Sequence, residues 1–381
     1  MILRERRQGE RRVAATPETV RRMVKEGLSV VVEAGAGAGA HIPDRRYEEA
    51  GAAVSGDARA ALSSADIALR VSSPFRSDDL GDEASLLKEG AVVVGLLDPY
   101  RALDTVRAFA RRRVSALAME LVPRISRAQR MDALSSQASI AGYKAALLAA
   151  AHLDKQLPLM MTAAGTVRPA RVVVIGAGVA GLQAIATAHR LGAVVEVSDV
   201  RPAVKEQAQS LGARFIELPQ MEQAETAGGY AREASDDFLR RQREILKAHL
   251  AKADAVIATA QVPGKPAPKL ITADMVEAMR PGAVIVDVAA EQGGNCELTV
   301  PGQDLERDGV LIIGRTNLPA TVAADASALY ARNVLEVVLL VTSEGEVRLE
   351  LEDPIVAAML LTHGGEVKNA AVAASLGGGG R

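Results

Sequence analysis

Short runs of apolar residues alternate with helical patterns along the first third of the chain. Four of these runs predict buried parallel strands, at 28–37, 65–71, 91–97 and 114–120. Between them, residues 17–27 and 102–113 place apolar positions at the helical period and polar positions on the outer face. Strands that alternate with helices in this way predict βαβ units.

The pattern repeats after a long predicted helix at 132–155. Six further apolar runs predict strands at 170–176, 193–199, 213–218, 253–260, 283–289 and 310–314. A second long helix is predicted at 323–345. Six strands with intervening helices are typical of a doubly wound dinucleotide-binding domain.

The two long helices bracket this second series, which indicates that both chain ends belong to one domain. We therefore predict an α/β fold with two Rossmann-like, doubly wound parallel-sheet domains joined by long helices. The first domain is predicted to be discontinuous, with residues 1–133 and 325–381, and the Rossmann domain to span 134–324.

Composition narrows the function classes without choosing one. Of the 381 residues, 49% are apolar and only 2% aromatic, so we expect a core of Ala, Val, Leu and Ile. The formal net charge of −2 gives no electrostatic reason to expect nucleic acid as a partner. Cys296 is the single cysteine, which excludes an internal disulfide and fits a reducing cytosol. The Cys and His spacing predicts no metal site.

The pattern also predicts no signal peptide and no direct membrane span. The charged start "MILRERRQGERR" lacks the apolar segment of a signal peptide. The longest uncharged run, 172–189, contains three glycines at phosphate-loop spacing, so a strand, turn and helix explain it better than a membrane helix.

A dinucleotide fingerprint begins at the end of the strand predicted at 170–176. Gly176, Gly178 and Gly181 have G-x-G-x-x-G spacing, and an amphipathic helix follows. The first glycine permits a tight turn, the second lets the backbone approach a pyrophosphate, and the third allows close helix–strand packing. The amides around Val179 are expected to face the phosphates, with the helix dipole behind them.

The residues at the tip of the next strand bear on the choice between NAD and NADP. Asp199 lies 18 residues after Gly181, where a carboxylate accepts hydrogen bonds from the adenosine ribose and repels a 2′-phosphate. We therefore expect NAD(H). Arg201 leaves NADP open, because an arginine there can accommodate a 2′-phosphate, but Pro202 follows at once and Arg201 can equally flank the next helix.

Catalytic acids and bases are scarce outside this fingerprint. Oxidation of an alcohol or amine moves a proton as well as a hydride and needs a general base. The five histidines lie in polar helix faces or in loops, where they are expected to be ordinary surface residues. Hydride transfer between two nicotinamides needs only ring alignment and exclusion of water. The polar segment 121–137 suits that task, since it would hold a nicotinamide and its ribose.

Several motifs along nearly the whole chain resemble one family, the NAD(H)-binding component of proton-translocating NAD(P)+ transhydrogenase. The wider family also contains alanine dehydrogenase. The motifs are "RRVAATPETV", "PRISRAQRMDALSSQASIAGYKA", "VIGAGVAGLQAIATAHRLGAVVEVSDVR", "TAGGYARE", "TAQVPGKPAPKLIT", "VDVAAEQGGNCELT" and "GRTNLPATVAADAS".

The resemblance implies roles for particular residues. Those that would contact the nicotinamide end, without acid–base function, are Arg124, Gln129, Asp132 and Ser135, with Arg127 nearby. Other contacts to NAD are implied for Val200, Arg201, Gln242 and Gln261, and for Gly229 and Tyr230 in a mobile loop. Simpler interpretations stay open: Arg124 and Asp132 as a surface ion pair, and Tyr230 as an ordinary loop residue.

The resemblance also implies partners and a location. NADP(H) would be bound by a partner subunit, and protons would pass through a separate membrane subunit. The chain itself would form a homodimer and lie in the cytoplasm, peripheral to the inner face of the cytoplasmic membrane. It would be active only with its partner subunits, as half of a site completed in trans.

Departures from alanine dehydrogenase bear on the rival hypothesis, an amino-acid dehydrogenase. Ser72 and Leu97 stand where those enzymes place a substrate-binding lysine and a catalytic histidine. Arg12 resembles their carboxylate-binding arginine and is retained. A second rival, a non-catalytic NAD-binding regulatory module, is disfavoured by the intact cluster expected at the nicotinamide end.

Overall fold

Two sheets organise the chain, each in its own unit. The computed structural model describes residues 1–74, 76–218, 236–262 and 264–377. Unit 1 comprises Met1–Gln137 and Ala320–Arg381, and unit 2 comprises Ala138–Pro319. The expected boundaries after 133 and 324 differ from these (137 and 319) by four and five residues.

Helices and strands alternate through most of the described chain. The helices are α1 (Pro17–Lys25), α2 (Asp44–Glu48), α3 (Ala58–Ser64), α4 (Glu83–Leu86), α5 (Leu103–Arg111), α6 (Ala133–His152), α7 (Val179–Arg190), α8 (Lys205–Ser210), α9 (Asp236–Leu250), α10 (Ala273–Glu277), α11 (Ala323–Leu340), α12 (Pro354–Met359) and α13 (Ala370–Gly377). The strands are β1 (Val31–Glu33), β2 (Ala53–Ser55), β3 (Ile67–Leu69), β4 (Arg76–Ser77), β5 (Gly81–Asp82), β6 (Val92–Gly95), β7 (Ser115–Ala118), β8 (Met160–Thr162), β9 (Gly165–Val167), β10 (Arg171–Ile175), β11 (Val194–Ser198), β12 (Arg214–Phe215), β13 (Ala255–Ala258), β14 (Val284–Asp287), β15 (Asp304–Arg307), β16 (Val310–Ile313), β17 (Thr342–Ser343), β18 (Glu346–Val347), β19 (Leu360–His363) and β20 (Glu366–Val367).

Unit 1 contains a five-stranded sheet with the order β20-β19-β7-β6-β3. Strands β3, β6 and β7 are parallel, as the sequence predicts, but β19 and β20 add an antiparallel edge from the carboxyl-terminal segment. Ile2 bridges Leu69 on one side and Val32 on the other, which links this sheet to the β1–β2 pair.

Unit 2 contains a seven-stranded sheet with the order β12-β11-β10-β13-β14-β16-β15. All neighbours are parallel except the edge strand β15, which pairs antiparallel with β16 and is absent from the sequence prediction. The chain runs outward from β10 to β12 and then continues from β13 on the other side of β10. This reversal of strand order makes the carboxyl ends of β10 and β13 a topological switch point, where open α/β sheets bind ligands.

The core of unit 2 covers both faces of its sheet. Along β10, Val172 and Val174 pack into one apolar cluster, and Val173 and Ile175 into another on the opposite face. A strand buried on both faces explains the unbroken apolar runs in the sequence. The expected α/β class with parallel-strand sheets is confirmed by the fold.

Two negative findings apply to the described ranges only. No helix there is both long enough and apolar enough to cross a membrane. No group of three or more His, Cys, Asp and Glu side chains there could hold a metal ion.

Candidate nucleotide-binding site

The fingerprint turn follows β10 and is too tight for any residue but glycine at two of its positions. Gly176 has a φ of +94°, and a Cβ there would lie 2.9 Å from Thr259 Oγ1. A Cβ on Gly181 would overlap the Gly176 carbonyl oxygen. The first and third glycines therefore let α7 begin directly against the end of β10, as the motif predicts.

Gly178 and Val179 leave space where a phosphate would approach. Gly178 precedes α7 in an extended conformation, and a Cβ there would meet a single group, the Arg201 guanidinium, at 3.9 Å. Val179 begins the helix and is exposed. The first amides of α7 have no carbonyl partner within the helix and, with its dipole, favour an anion. The turn thus fits a pyrophosphate.

Asp199 follows β11 and is buried at the same edge of the sheet. Its Oδ2 accepts a 2.6 Å hydrogen bond from the Ala177 N–H of the fingerprint turn. Arg201 supplies further donors, and its guanidinium lies 2.9 Å from the same oxygen. Val200, between them, is half-buried. The sequence places Asp199 and Arg201 correctly near the turn, but gives no sign that the two pair with each other.

A neighbouring loop, Thr259 to Gln261, closes the other side of the turn. Thr259 Oγ1 donates to the Gly176 carbonyl at 3.0 Å. Gln261 is exposed just beyond β13, and its Nε2 donates to the Val288 carbonyl beyond β14. The position of Gln261 beyond a strand's carboxyl end agrees with its expected contact to NAD, and that contact stays a prediction.

Sequence reasoning missed the residue that holds this loop, Asn295. Its side chain is fully buried and bonds the main chain of Ala260. No local pattern marks it, because its partners lie 35 residues away in the chain. The "GGN" that precedes Cys296 was the available signal, since paired glycines indicate a tight, specific turn.

Gln242 lies on α9 and is 2% exposed. Its Oε1 is buried without a hydrogen-bond partner among the described residues. Buried side-chain oxygens in native proteins are nearly always paired, so this acceptor is available for a ligand. Gly229 and Tyr230, the predicted loop contacts, lie outside the described residues.

The residues expected at the nicotinamide end belong to unit 1, whereas the fingerprint belongs to unit 2. Arg124 and Gln129 are exposed, whereas Asp132 and Ser135 are half-buried at the start of α6. Asp132 Oδ1 accepts the Ser135 N–H at 2.9 Å, and Oδ2 accepts the Ser135 hydroxyl at 2.6 Å. This pair satisfies a free amide of the helix and fixes both side chains.

Arg127 has a structural partner that the sequence does not predict. Its Nη2 lies 2.7 Å from both carboxylate oxygens of Asp353, which caps α12. Burial opposes ionisation of Asp353, but hydrogen bonds from Arg127 and from the Ile355 N–H hold the pKa of that carboxyl below its usual value. Arg127 thus anchors the polar segment to α12 within unit 1.

The positions that correspond to the amino-acid site of alanine dehydrogenase are filled by internal bonds. The Ser72 hydroxyl donates to Glu5 at 2.5 Å, and Leu97 is 1% exposed. Arg12 is paired with Glu10 at 2.7 Å and donates to Gln137 at 2.8 Å. No ionisable pair replaces the missing lysine and histidine at Ser72 and Leu97.

One buried carboxyl lies beside Leu97. Glu120 accepts the N–H groups of Leu97 and Asp98 at 3.1 and 2.7 Å. Burial raises the pKa of Glu120 to about 7, against these main-chain hydrogen bonds, which lower it. Its charge therefore changes within the physiological pH range.

One histidine differs from its predicted surroundings. His249, expected to be a solvated surface residue, is half-buried and its Nδ1 lies 2.9 Å from Glu196 Oε2. Glu196 is in the middle of β11, three residues before Asp199, so this pair does not lie at the carboxyl end of the strand. The pair therefore supplies no base at the candidate site.

Comparison with known proteins agrees with this geometry. Residues 1–141 match the model of the alanine dehydrogenase/PNT N-terminal domain, and residues 145–370 match that of the C-terminal domain. A protein of Rhodospirillum rubrum, the first of the parts into which its NAD(P) transhydrogenase subunit alpha is divided, is 49% identical, over 97% of this chain and 98% of that protein.

Two further relatives represent both branches of the family. The crystal structure of transhydrogenase from Sinorhizobium meliloti has a TM-score of 0.86 and 46% identity, and covers 96% of this chain and 99% of that one. An alanine dehydrogenase of Methanococcus maripaludis is 30% identical over 98% of this chain and 95% of that protein. With both domain models matched and near-complete coverage of these relatives, the chain belongs to the alanine dehydrogenase/PNT family.

Proposed function

We propose that this chain is the NAD(H)-binding subunit of a proton-translocating NAD(P)+ transhydrogenase. It binds NADH, and hydride passes to NADP+ held by a partner subunit, coupled to proton movement through a separate membrane subunit. The observation that carries the proposal is an NAD-type site at Gly176–Gly181 and Asp199, together with filled, unionised positions at Ser72 and Leu97. The names of the relatives, NAD(P) transhydrogenase subunit alpha, support the choice of reaction.

The residues of unit 2 are proposed to bind the adenosine and pyrophosphate portions of NADH. The α7 amides that follow Gly178 bind the pyrophosphate, and Asp199 accepts from the adenosine ribose. Gln242 has an unpaired buried acceptor, and Gln261 lies beyond the end of β13. Val200, Arg201, Gly229 and Tyr230 complete the proposed set.

The residues of unit 1 are proposed to orient the nicotinamide. NADH supplies the hydride, and Arg124, Gln129, Asp132 and Ser135 hold the ring and its ribose, with Arg127 fixing the segment. No proton is exchanged between two nicotinamides, so none of these residues needs to act as an acid or base. The mutual hydrogen bonds of Asp132 and Ser135 suit positioning, because they leave neither side chain free to rotate.

A homodimer is part of the proposal, and one surface supports it. Strands β8 and β9 form a separate two-stranded sheet whose six residues are all exposed. Leu159, Met161 and Val167 are 54%, 75% and 44% exposed. An isolated hairpin is marginally stable, and a second copy related by a two-fold axis can pair with its edge and cover these side chains. Sedimentation of wild type and Met161→Glu tests this, and equal dimer populations would contradict it.

Assembly with a membrane subunit would keep the chain at the inner face of the cytoplasmic membrane. The rival amino-acid dehydrogenase lacks support at Ser72 and Leu97. The rival NAD-binding regulatory module predicts binding without hydride transfer, so the two hypotheses differ in one measurement.

Stopped-flow hydride transfer is that measurement. The chain, loaded with NADH, is mixed with an NADP+-loaded partner subunit of a transhydrogenase, and oxidation of NADH is followed by absorbance. We expect a single-turnover phase that requires both proteins. Tight NADH binding with no transfer to any partner would favour the regulatory module and overturn the proposal.

A further inference from the structure

The carboxylate of Asp199 is saturated with hydrogen bonds in the protein alone. Oδ1 accepts the Arg201 N–H at 2.8 Å and Arg201 Nε at 3.0 Å. Oδ2 accepts the Ala177 N–H at 2.6 Å and Arg201 Nη2 at 2.9 Å. A carboxylate has about four acceptor positions. The adenosine ribose would find none free.

Two of the four donors belong to the main chain and two to a side chain that can rotate. The N–H groups of Ala177 and Arg201 hold the carboxylate on the turn. The guanidinium of Arg201 occupies the remaining acceptor positions, which are those that ribose hydroxyls would need. Arg201 must therefore turn away before Asp199 can accept from a ribose.

The charges make this exchange matter for nucleotide choice. The side chains of Asp199 and Arg201 are 5% and 13% exposed, so the ion pair is largely withdrawn from water. The guanidinium neutralises the carboxylate that would repel a 2′-phosphate, and it is itself a planar donor suited to phosphate. Its Nη2 also lies 3.9 Å from the Cβ position of Gly178, beside the phosphate turn.

We propose that Arg201 is a specificity-determining residue that competes with the adenosine ribose for Asp199 and lowers the discrimination between NADH and NADPH. In the free protein the guanidinium holds the ribose acceptors. NADH displaces it, whereas the 2′-phosphate of NADPH pairs with it. The inference rests on the proposed binding of NADH and goes beyond it by naming the residue that limits selectivity.

Replacement of Arg201 by methionine tests the proposal, because methionine keeps the length and apolar stem without the charge. Isothermal titration with NADH and with NADPH gives two dissociation constants for each variant. Arg201→Met is expected to bind NADH about tenfold more tightly and NADPH about tenfold more weakly, which raises the ratio of the constants about a hundredfold. An unchanged ratio, or equal weakening of both nucleotides, would overturn the proposal.

Two further variants keep the result interpretable. Arg201→Lys retains the charge but loses the two-donor fork, so we expect tighter NADH binding with NADPH affinity near that of wild type. Arg307→Met removes an exposed arginine on the far edge strand β15 and should leave both constants unchanged. Thermal unfolding of each variant verifies that it is folded.

The design separates this proposal from the proposed function. If wild type binds NADH and the ratio does not respond to Arg201, the role of Arg201 alone is wrong. If folded wild type binds neither nucleotide, the proposed function fails and this inference fails with it.

Discussion

The side-chain amide of Asn295 bonds both main-chain polar groups of Ala260. Its Nδ2 donates to the Ala260 carbonyl at 2.8 Å, and its Oδ1 accepts the Ala260 N–H at 3.0 Å. The same Nδ2 donates to the Pro268 carbonyl at 2.9 Å. Since Ala260 N would lie 3.1 Å from a Cβ on Gly176, this amide fixes the loop that borders the fingerprint turn.

Replacement of Asn295 by leucine should destabilise the protein by about 3 kcal/mol or more. Leucine has a similar volume but leaves the buried N–H and carbonyl of Ala260 without partners, and each unpaired group costs about 1–3 kcal/mol. Urea unfolding of wild type and variant measures the difference. Asn369→Leu, which removes one half-exposed cap bond to the Val372 N–H, serves as the control and should cost about 1 kcal/mol. Equal losses for the two variants would show that the Asn295 amide has no special structural role.

Replacement of Gln129 by asparagine should slow hydride transfer more than it weakens binding. One lost hydrogen bond costs about 0.5–1.5 kcal/mol, so the dissociation constant for NADH should stay within about tenfold of wild type. A ring misplaced by about 1 Å can lose about a hundredfold in single-turnover rate. Gln8→Asn, at an exposed turn of unit 1, is the matched control.

The pH dependence of that rate examines the same role. Without proton transfer in the chemical step, the single-turnover rate should lack a bell-shaped profile. A pKa that disappears in Asp132→Asn would make Asp132 a catalytic base. Proportional losses of binding and rate in Gln129→Asn would instead make the segment a general nucleotide clamp.

The isolated chain should not act as an alanine dehydrogenase. The Ser72 hydroxyl is bonded to Glu5 and Leu97 is buried, so neither position offers the ionisable group of that reaction. Pyruvate- and ammonia-dependent oxidation of NADH is the assay, run on protein that binds NADH in the same preparation. Steady turnover within the usual enzyme range, on the order of 1–10³ per second, would return the chain to the amino-acid dehydrogenases.

Glu120 should make the protein less stable as the pH rises towards neutrality. Its pKa is about 7 in the folded protein against an ordinary 4.5, so the folded state binds more protons than the unfolded state between these values. Stability from this group is present below pH 4.5 and is lost as the pH rises through 7, by roughly 3 kcal/mol.

A pair of glutamine variants isolates that contribution. The free energy of unfolding of wild type minus that of Glu120→Gln should fall between pH 5 and pH 8. Glu244→Gln, at an exposed position on α9, should give a difference that is flat over the same range. A flat difference for Glu120→Gln as well would mean that this carboxyl ionises at its ordinary pH.

The elements with apolar runs were predictable, and those defined by distant partners were not. Strands β10, β13 and β14 lie inside their predicted segments because burial on both faces leaves a local record. The edge strand β15 is mostly exposed and charged, so it leaves none. Its turn did offer a signal, since Asp308 and Gly309 both have positive φ and form the Asp-Gly pair favoured in tight hairpins.

The candidate site shows the same division. Gly176 and Gly181 were predictable because each tight contact is made within the motif or to the next strand. The pairing of Asp199 with Arg201 depends on side-chain rotamers, which spacing does not specify. Arg127 was expected near the nucleotide, but its bond to Asp353 joins residues 226 positions apart and leaves no trace in either local sequence.

The antiparallel edge of the unit 1 sheet has a consequence for biosynthesis. Thr362 Oγ1 donates to the Val114 carbonyl, 248 residues earlier, and β19 completes the sheet beside β7. A ribosome therefore finishes all of residues 138–319 before the strand that covers β7 has been made. Unit 2 can fold while the nascent chain still presents β7, with buried Ala116 and Leu117, as an open edge. Such an edge invites pairing with other nascent chains, so chaperone protection during translation should matter more for residues 1–137 than for the sheet that follows.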